Sequence, residues 1–214
     1  MVGALPCRGR SVGWFVKRET RTGAEAREIA LAAGIVRTAP GLTALFRDLA
    51  PGEPKALLDL GPALGDNLRF YSRYTGRIRF ADLLVRGMPE APPVAPLHEL
   101  RDHPESPYDL VLAWNLLDQV TPERRRAVVE ELADLATPGS RLHLLLDMSD
   151  EPFLRPLRFT IVDRERLTFT AVGPPRPALP RPLPAQVDPL LEPFRVVRAF
   201  VLRDGMREYV AVRA

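Results

Sequence analysis

The chain has 214 residues, 46% apolar and 27% charged. That is the balance of an ordinary globular protein, long enough to bury a core in one domain with additions or at most two small ones. A net charge of +3, carried mostly by scattered arginines, gives little reason to expect nucleic acid as a partner, and the single cysteine, Cys7, excludes an internal disulfide framework or a cysteine-rich metal site. No apolar run reaches about 18 residues and no apolar h-region opens the chain, so neither a membrane span nor a secretory signal is expected, and the cytoplasm is the expected compartment.

Residues 1–21 are rich in glycine and arginine, with a short apolar patch at Val12 to Val16. They read as a flexible arm or a short lid. Thr22-Gly-Ala-Glu25 has the pattern of a capping box, which predicts a helix to about Ala33, closed by Gly34. Leu42, Leu45, Phe46 and Leu49 share one face of a second helix, Leu42 to Ala50, which Pro51-Gly-Glu-Pro54 ends. Ala56 to Leu60 is a short apolar run suited to a buried strand. Gly61, Pro62 and Gly65 follow as turn formers, and an amphipathic helix, Asn67 to Tyr74, is expected to bury Leu68, Tyr71 and Tyr74.

Arg77 to Ala81 reads as a strand ending at Asp82. Met88 to Pro107 is poor in pattern and rich in proline, so no helix of three turns is expected there. Tyr108 to Ala113 is the next strand. Thr121-Pro122-Glu123 starts a helix with a cap, a proline at the first position and an acid at the positive end of the dipole. Val128, Leu132 and Leu135 give that helix its apolar stripe, and Pro138-Gly139 stops it. Arg141 to Leu146 is the most apolar strand and is expected to be central. Leu157 to Val162 and Leu167 to Val172 read as a hairpin. Pro174 to Pro193 holds eight prolines in twenty residues and reads as an extended connection. Arg195 to Leu202 and Arg207 to Arg213 form a second hairpin around Asp204-Gly205.

Strands separated by helices imply a parallel sheet, and a terminal tight hairpin is antiparallel. This order resembles the class I S-adenosylmethionine-dependent methyltransferases, over roughly Ala56 to Arg213. The family's first motif, D/E-x-G-x-G-x-G, stands here as Asp59-Leu-Gly61-Pro-Ala63-Leu-Gly65, with alanine at the middle glycine. Asp82, 21 residues after Gly61, matches the family's second acid, which takes the ribose hydroxyls. Tyr108-Asp-Leu-Val-Leu-Ala-Trp114-Asn115 matches the fourth-strand motif. Thr137-Pro-Gly-Ser-Arg-Leu resembles the usual lead into strand five.

The resemblance implies a Rossmann-like α/β fold, mostly parallel with helices on both faces and an antiparallel C-terminal strand. It implies S-adenosylmethionine as cofactor, bound by Asp59, Gly61, Ala63, Gly65, Asp82, Trp114 and Asn115. It divides the chain into residues 1–54, an arm and helices covering the site, and residues 55–214, the methyltransferase-like unit. Only 25 residues separate Asp82 from Tyr108, so the family's intervening helix and third strand are shortened or lost. Glu99 and Asp102 are then the stand-ins for the acid that contacts the adenine. No Asn-Pro-Pro-Tyr motif follows strand four, which disfavours methylation of DNA bases and leaves a small molecule as the expected acceptor. The alternative is a non-catalytic domain of the same fold that binds a partner.

A nicotinamide-binding domain fits less well. Its G-x-G-x-x-G fingerprint needs glycine where Ala63 and Asp66 stand. His143 reads as a packed core residue, and no histidine spacing suggests a metal. Asp118 reads as the acid of a helix-entry loop, and Arg124, Arg125 and Arg126 read as a solvated face.

Overall fold

The computed structural model describes residues 33–83, 97, 100, 107–202 and 205–214. Its elements are β1 (Ile35–Thr38), α1 (Pro40–Phe46), β2 (Ala56–Asp59), α2 (Gly65–Tyr71), β3 (Arg77–Phe80), β4 (Tyr108–Trp114), a 3-10 turn (Leu116–Gln119), α3 (Pro122–Asp134) and β5 (Ala136–Asp147). They continue with β6 (Phe153–Leu154), β7 (Leu157–Ile161), β8 (Arg166–Ala171), β9 (Arg176–Pro177), α4 (Pro184–Leu191), β10 (Phe194–Val201) and β11 (Met206–Arg213).

Six strands form the main sheet in the order β10-β11-β5-β4-β2-β3. The three pairings among β3, β2, β4 and β5 are parallel, and β11 lies antiparallel between β5 and β10. The expected α/β fold with an antiparallel C-terminal strand is therefore present. β2 is buried along its whole length and β4 nearly so, because helices cover both faces of the parallel part. Gly205 has φ +78 in the tight link between β10 and β11, a conformation that glycine adopts without penalty.

α3 buries Val128, Val129, Leu132 and Ala133 at helical spacing. α1 buries Leu42, Leu45 and Phe46. A second sheet, β1-β8-β7, is antiparallel throughout. It contains the expected hairpin of β7 and β8. β1 is an addition, since four residues between Gly34 and the next helix carry too little pattern to mark a strand from sequence.

Four expectations change. Leu68 is 48% exposed, and α2 instead buries Asn67, Phe70 and Tyr71. The helix starts two residues earlier than its apolar pattern suggests, which turns its buried face. The proline-rich connection contains β9 and α4. Pro184 opens α4, where its missing N–H costs nothing. Pro189 leaves only the exposed Ala185 carbonyl unpaired, while Val187 and Leu191 are buried one turn apart.

The third change is in β5, which begins at Ala136 and carries Thr137-Pro-Gly within it. The fourth concerns Arg125, which is buried rather than solvated. Its position, three and four residues before Val128 and Val129, places it on the inward stripe of α3. The expected helix at 22–33 lies outside the described residues except for its last position. So does the interval from Met88 to Pro107, apart from Leu97, Leu100 and Pro107. Leu97 and Leu100 are helical and buried.

Candidate functional site

The carboxyl ends of β2, β3, β4 and β5 share one edge of the sheet, where open α/β folds bind ligands. β2 ends at Asp59, whose side chain is wholly buried. Asp59 accepts hydrogen bonds from the Gly61 N–H (2.8 Å), the Tyr71 hydroxyl (2.7 Å) and the Trp114 indole N–H (2.5 Å). Burial pushes its carboxyl up to about 6, against the pull of these three donors. Asp59 thus ties the glycine turn, α2 and the end of β4 together.

A Cβ placed on Gly61 would lie 3.1 Å from both Asp59 Oδ1 and Trp114 Nε1. A side chain there fits only if the carboxylate or the indole packed against the turn gives way by a few tenths of an ångström. Ala63 and Gly65 are exposed, and a Cβ on Gly65 would meet nothing within 4 Å. The turn therefore has a packed end at Gly61 and an open end at Ala63 to Gly65.

Asp82 and Trp114 are the two non-glycine residues with positive φ among those described, at 51° and 48°. A left-handed tryptophan is costly, of order 1–3 kcal/mol, and persists only when its surroundings fix it. Here Trp114 is fixed by Asp59, by a parallel stack on Phe159 of β7 (5.1 Å between centroids) and by an edge contact with His143. Asn67 of α2 donates to the Phe159 carbonyl and accepts from the Ile161 N–H, gripping the same strand. The second sheet is thereby clamped onto the glycine turn. The stack and the clamp were not legible in the sequence, because Phe159 lies 92 residues from Asn67.

Asp82 follows β3, and its N–H donates to the Gly61 carbonyl at 3.1 Å. Its Oδ1 is buried and has no hydrogen-bond partner. Asn115, after Trp114, is buried; its Oδ1 accepts from Gln119, and its Nδ2 has no partner. Of the seven residues expected to bind cofactor, Asp59, Gly61 and Trp114 touch one another, and Asp82 joins them through the backbone. Ala63 and Gly65 form the open limb of the same turn. Glu99 and Asp102 lie outside the described residues. Among the described residues no group of His, Cys, Asp or Glu is arranged to hold a metal ion, and no helix is long and apolar enough to cross a membrane.

His143 is packed, as its place in an apolar strand suggests, and its Nε2 lies 2.6 Å from Glu208 Oε1. Glu208 of β11 also accepts from the Gly41 and Leu42 N–H groups at 2.7 and 2.9 Å, so it caps α1 from across the sheet.

A second polar cluster lies behind the end of β4. Asp118 accepts from the Asp147 N–H through Oδ2, and its Oδ1 is buried without a partner. Burial pushes its carboxyl up to about 8, and Asp147 adds to the rise, while the Asp147 N–H, Arg125 and Arg181 oppose it. A folded-state value above the unfolded one means that the folded protein holds a proton that the unfolded chain releases. The stabilisation is complete below about pH 4 and is lost as pH rises to about 8. Asp59 acts with the same sign over the lower part of that window. Wild-type melting temperature is therefore expected to fall between pH 5 and 9, and Asp118→Asn, which cannot ionise, to flatten that decline. Parallel profiles for the two proteins in a thermal melt series would contradict the assignment.

No protein-family model matches the chain, and no curated protein sequence matches it. Solved structures do. The chain is similar to an S-adenosylmethionine-dependent methyltransferase from Mesorhizobium loti at 14% identity and a TM-score of 0.51, over 81% of this chain and 96% of that one. It is also similar to the 1,6-didemethyltoxoflavin N1-methyltransferase of Burkholderia thailandensis at 19% identity and a TM-score of 0.48, over 82% and 77% of the two chains. Streptomyces venezuelae DesVI matches at 14% identity and a TM-score of 0.48, over 81% and 92%. The sheet order, the glycine turn after β2 and the Mesorhizobium likeness agree: this chain has the fold of the class I S-adenosylmethionine-dependent methyltransferases.

Proposed function

We propose that the chain transfers a methyl group from S-adenosylmethionine to a small-molecule acceptor. The observation that supports this most is Asp82, a left-handed residue bonded to the glycine turn with one carboxylate oxygen buried and unpartnered. An unsatisfied buried oxygen is costly unless a ligand completes it. Neighbouring ribose hydroxyls are the donors that a carboxylate at a strand end can take as a pair. The unpartnered Nδ2 of Asn115 adds a donor at the same edge, and the open limb at Ala63 to Gly65 leaves room for close approach. The residues present therefore fit the cofactor.

When bound, the cofactor supplies a methyl group activated by its sulfonium. The chain supplies alignment: Asp82 orients the ribose, and Asp59 holds Trp114 and the turn in place. Methyl transfer needs mainly such positioning, with a base only where the acceptor must lose a proton. Residues 1–54 and the β7–β8 hairpin act as the cover over the acceptor, and residues 55–214 act as the transferase unit.

Asp82→Ala is expected to weaken S-adenosylhomocysteine binding about tenfold or more, since a hydrogen bond to a charged group contributes about 1.5–3 kcal/mol. Its melting temperature should stay near that of wild type. Calorimetric titration with parallel melts checks this, and unchanged affinity in a folded variant removes the main support for the cofactor. The short interval between Asp82 and Tyr108 favours the second reading, a non-catalytic domain that binds a partner. A rise in melting temperature with S-adenosylhomocysteine selects the enzyme, because a ligand of the native state stabilises it.

A further inference from the structure

The glycine turn after β2 is closed at its packed end by the protein's own indole. Asp59 is fully buried, and both of its oxygens are taken: Oδ1 by the Gly61 N–H and the Trp114 indole N–H, Oδ2 by the Tyr71 hydroxyl. Trp114 Nε1 and Cδ1 lie 3.1 and 3.3 Å from where a Cβ of Gly61 would stand, in the space that a glycine leaves beside the backbone. No ligand reaches that end while the indole is there. The polar atoms next to it are in the opposite condition. Asp82 Oδ1 and Asn115 Nδ2 are buried without partners, although the Asp82 N–H is bonded to Gly61 and Asn115 follows Trp114 in the chain.

Two features show that the backbone is bent to bring the indole there. The register of β4 on β5 slips between Leu112 and Trp114, which pair with the consecutive residues His143 and Leu144. A bulge of this kind re-aims a side chain and is common beside active sites. Trp114 then has φ 48°, a strained conformation of the sort that collects at ligand clamps and switch regions. It is held by the Asp59 bond, by the parallel stack on Phe159 at 5.1 Å and by the edge of His143. Phe159 is held in turn by Asn67, which donates to its carbonyl at 3.1 Å and accepts from the Ile161 N–H at 2.8 Å. We propose that Trp114 is a gate on the ligand edge, shut by Asp59 and Phe159, and that a ligand enters the packed end of the turn as the indole swings out. Opening alone leaves a buried carboxylate one donor short, which is costly. A ligand N–H or O–H that replaces the indole removes this cost, and the strained backbone at Trp114 offsets part of what the closed contacts contribute. Ligand and open gate therefore favour each other. Valine at Gly61 does not imitate the open gate, because its methyls occupy the space that the indole leaves. The identity of the ligand as S-adenosylmethionine rests on the methyl-transfer reading; the gate does not.

The test uses the full chain carrying Trp14→Phe, which leaves Trp114 as the one tryptophan. Its indole N–H then gives a single signal for native-state hydrogen exchange by NMR. A gate opens locally. The indole should therefore be protected at least about 100-fold less than the backbone N–H groups of Leu60 and Tyr108, which are fully buried and bonded within the sheet region. Saturating S-adenosylhomocysteine should shift the indole resonance. Asn67→Ala should lower the indole's protection about tenfold further and tighten S-adenosylhomocysteine about tenfold, because less of the protein is then held shut. A merely structural Asn67 predicts weaker binding instead. Phe159→Leu takes its place if Asn67→Ala does not fold, with changes of the same sign. Indole protection equal to that of Leu60 and Tyr108 would overturn the gate. So would S-adenosylhomocysteine bound with the indole resonance unmoved or, where it binds the parent chain, folded variants that bind it no tighter. Local opening of the indole with no binding of S-adenosylhomocysteine leaves the gate standing and removes the methyl-transfer reading.

Discussion

Glu208→Ala is expected to lower stability by about 3–5 kcal/mol, the usual cost of removing one partner from a buried, charge-assisted cluster. Glu208 is fully buried in β11 and serves three donors from two other elements. The N–H groups of Gly41 and Leu42 end at its two oxygens, and His143 Nε2 meets one of them. Alanine leaves the first turn of α1 without acceptors and strands the histidine beside Trp114. At about 2–4 °C per kcal/mol for a chain of this size, the melting temperature should drop by roughly 10 °C. Glu208→Gln keeps one acceptor oxygen and should fall between the two. A drop of less than about 2 °C for the alanine variant would show that α1 is capped by something other than Glu208.

Gly61→Val is expected to abolish binding of S-adenosylhomocysteine, with a loss of more than about 100-fold, equal to roughly 2.7 kcal/mol. The cause is internal. The new Cβ would press on Asp59 Oδ1 and Trp114 Nε1, and the two methyls beyond it would force the indole aside. Moving the indole breaks its bond to Asp59 and its stack on Phe159, which deforms the turn that Asp82 is bonded to. Overpacking of this kind costs about 1–3 kcal/mol, so the variant should fold with reduced stability. Gly61→Ala should fall between wild type and valine. Titrations alongside melting curves for both variants check the order. A valine variant that binds within twofold of wild type would place the ligand away from this turn.

Features built from neighbouring residues were legible before the fold was known. The apolar runs of β2, β4 and β5, the glycine turn at Gly61, the β7–β8 hairpin and the terminal hairpin at Gly205 are local patterns. Strand burial and turn geometry are set by side chains a few residues apart. The order of strands and helices then restricted the topology to a mostly parallel sheet with an antiparallel end. The resemblance drew its seven candidate residues from those same local signals.

What escaped depended on contacts between distant segments. Three successive arginines look like one solvated face, yet Arg125 sits on the inward stripe of α3, where the Leu117 carbonyl receives it. α4 was hidden by its prolines, which are tolerable because Val187 and Leu191 find a core to pack against. The resemblance assigned Trp114 to the cofactor, and no local pattern marked that Asp59, 55 positions earlier, takes its indole N–H. By itself the sequence determined the sheet, its turns and the edge on which open α/β folds bind ligands, since periodicity and glycine placement act over a few residues. Only the tertiary structure decided which polar atoms on that edge are already satisfied and which, such as Asp82 Oδ1 and Arg125 Nη2, are left without a partner, because hydrogen-bond partners are chosen by proximity in space.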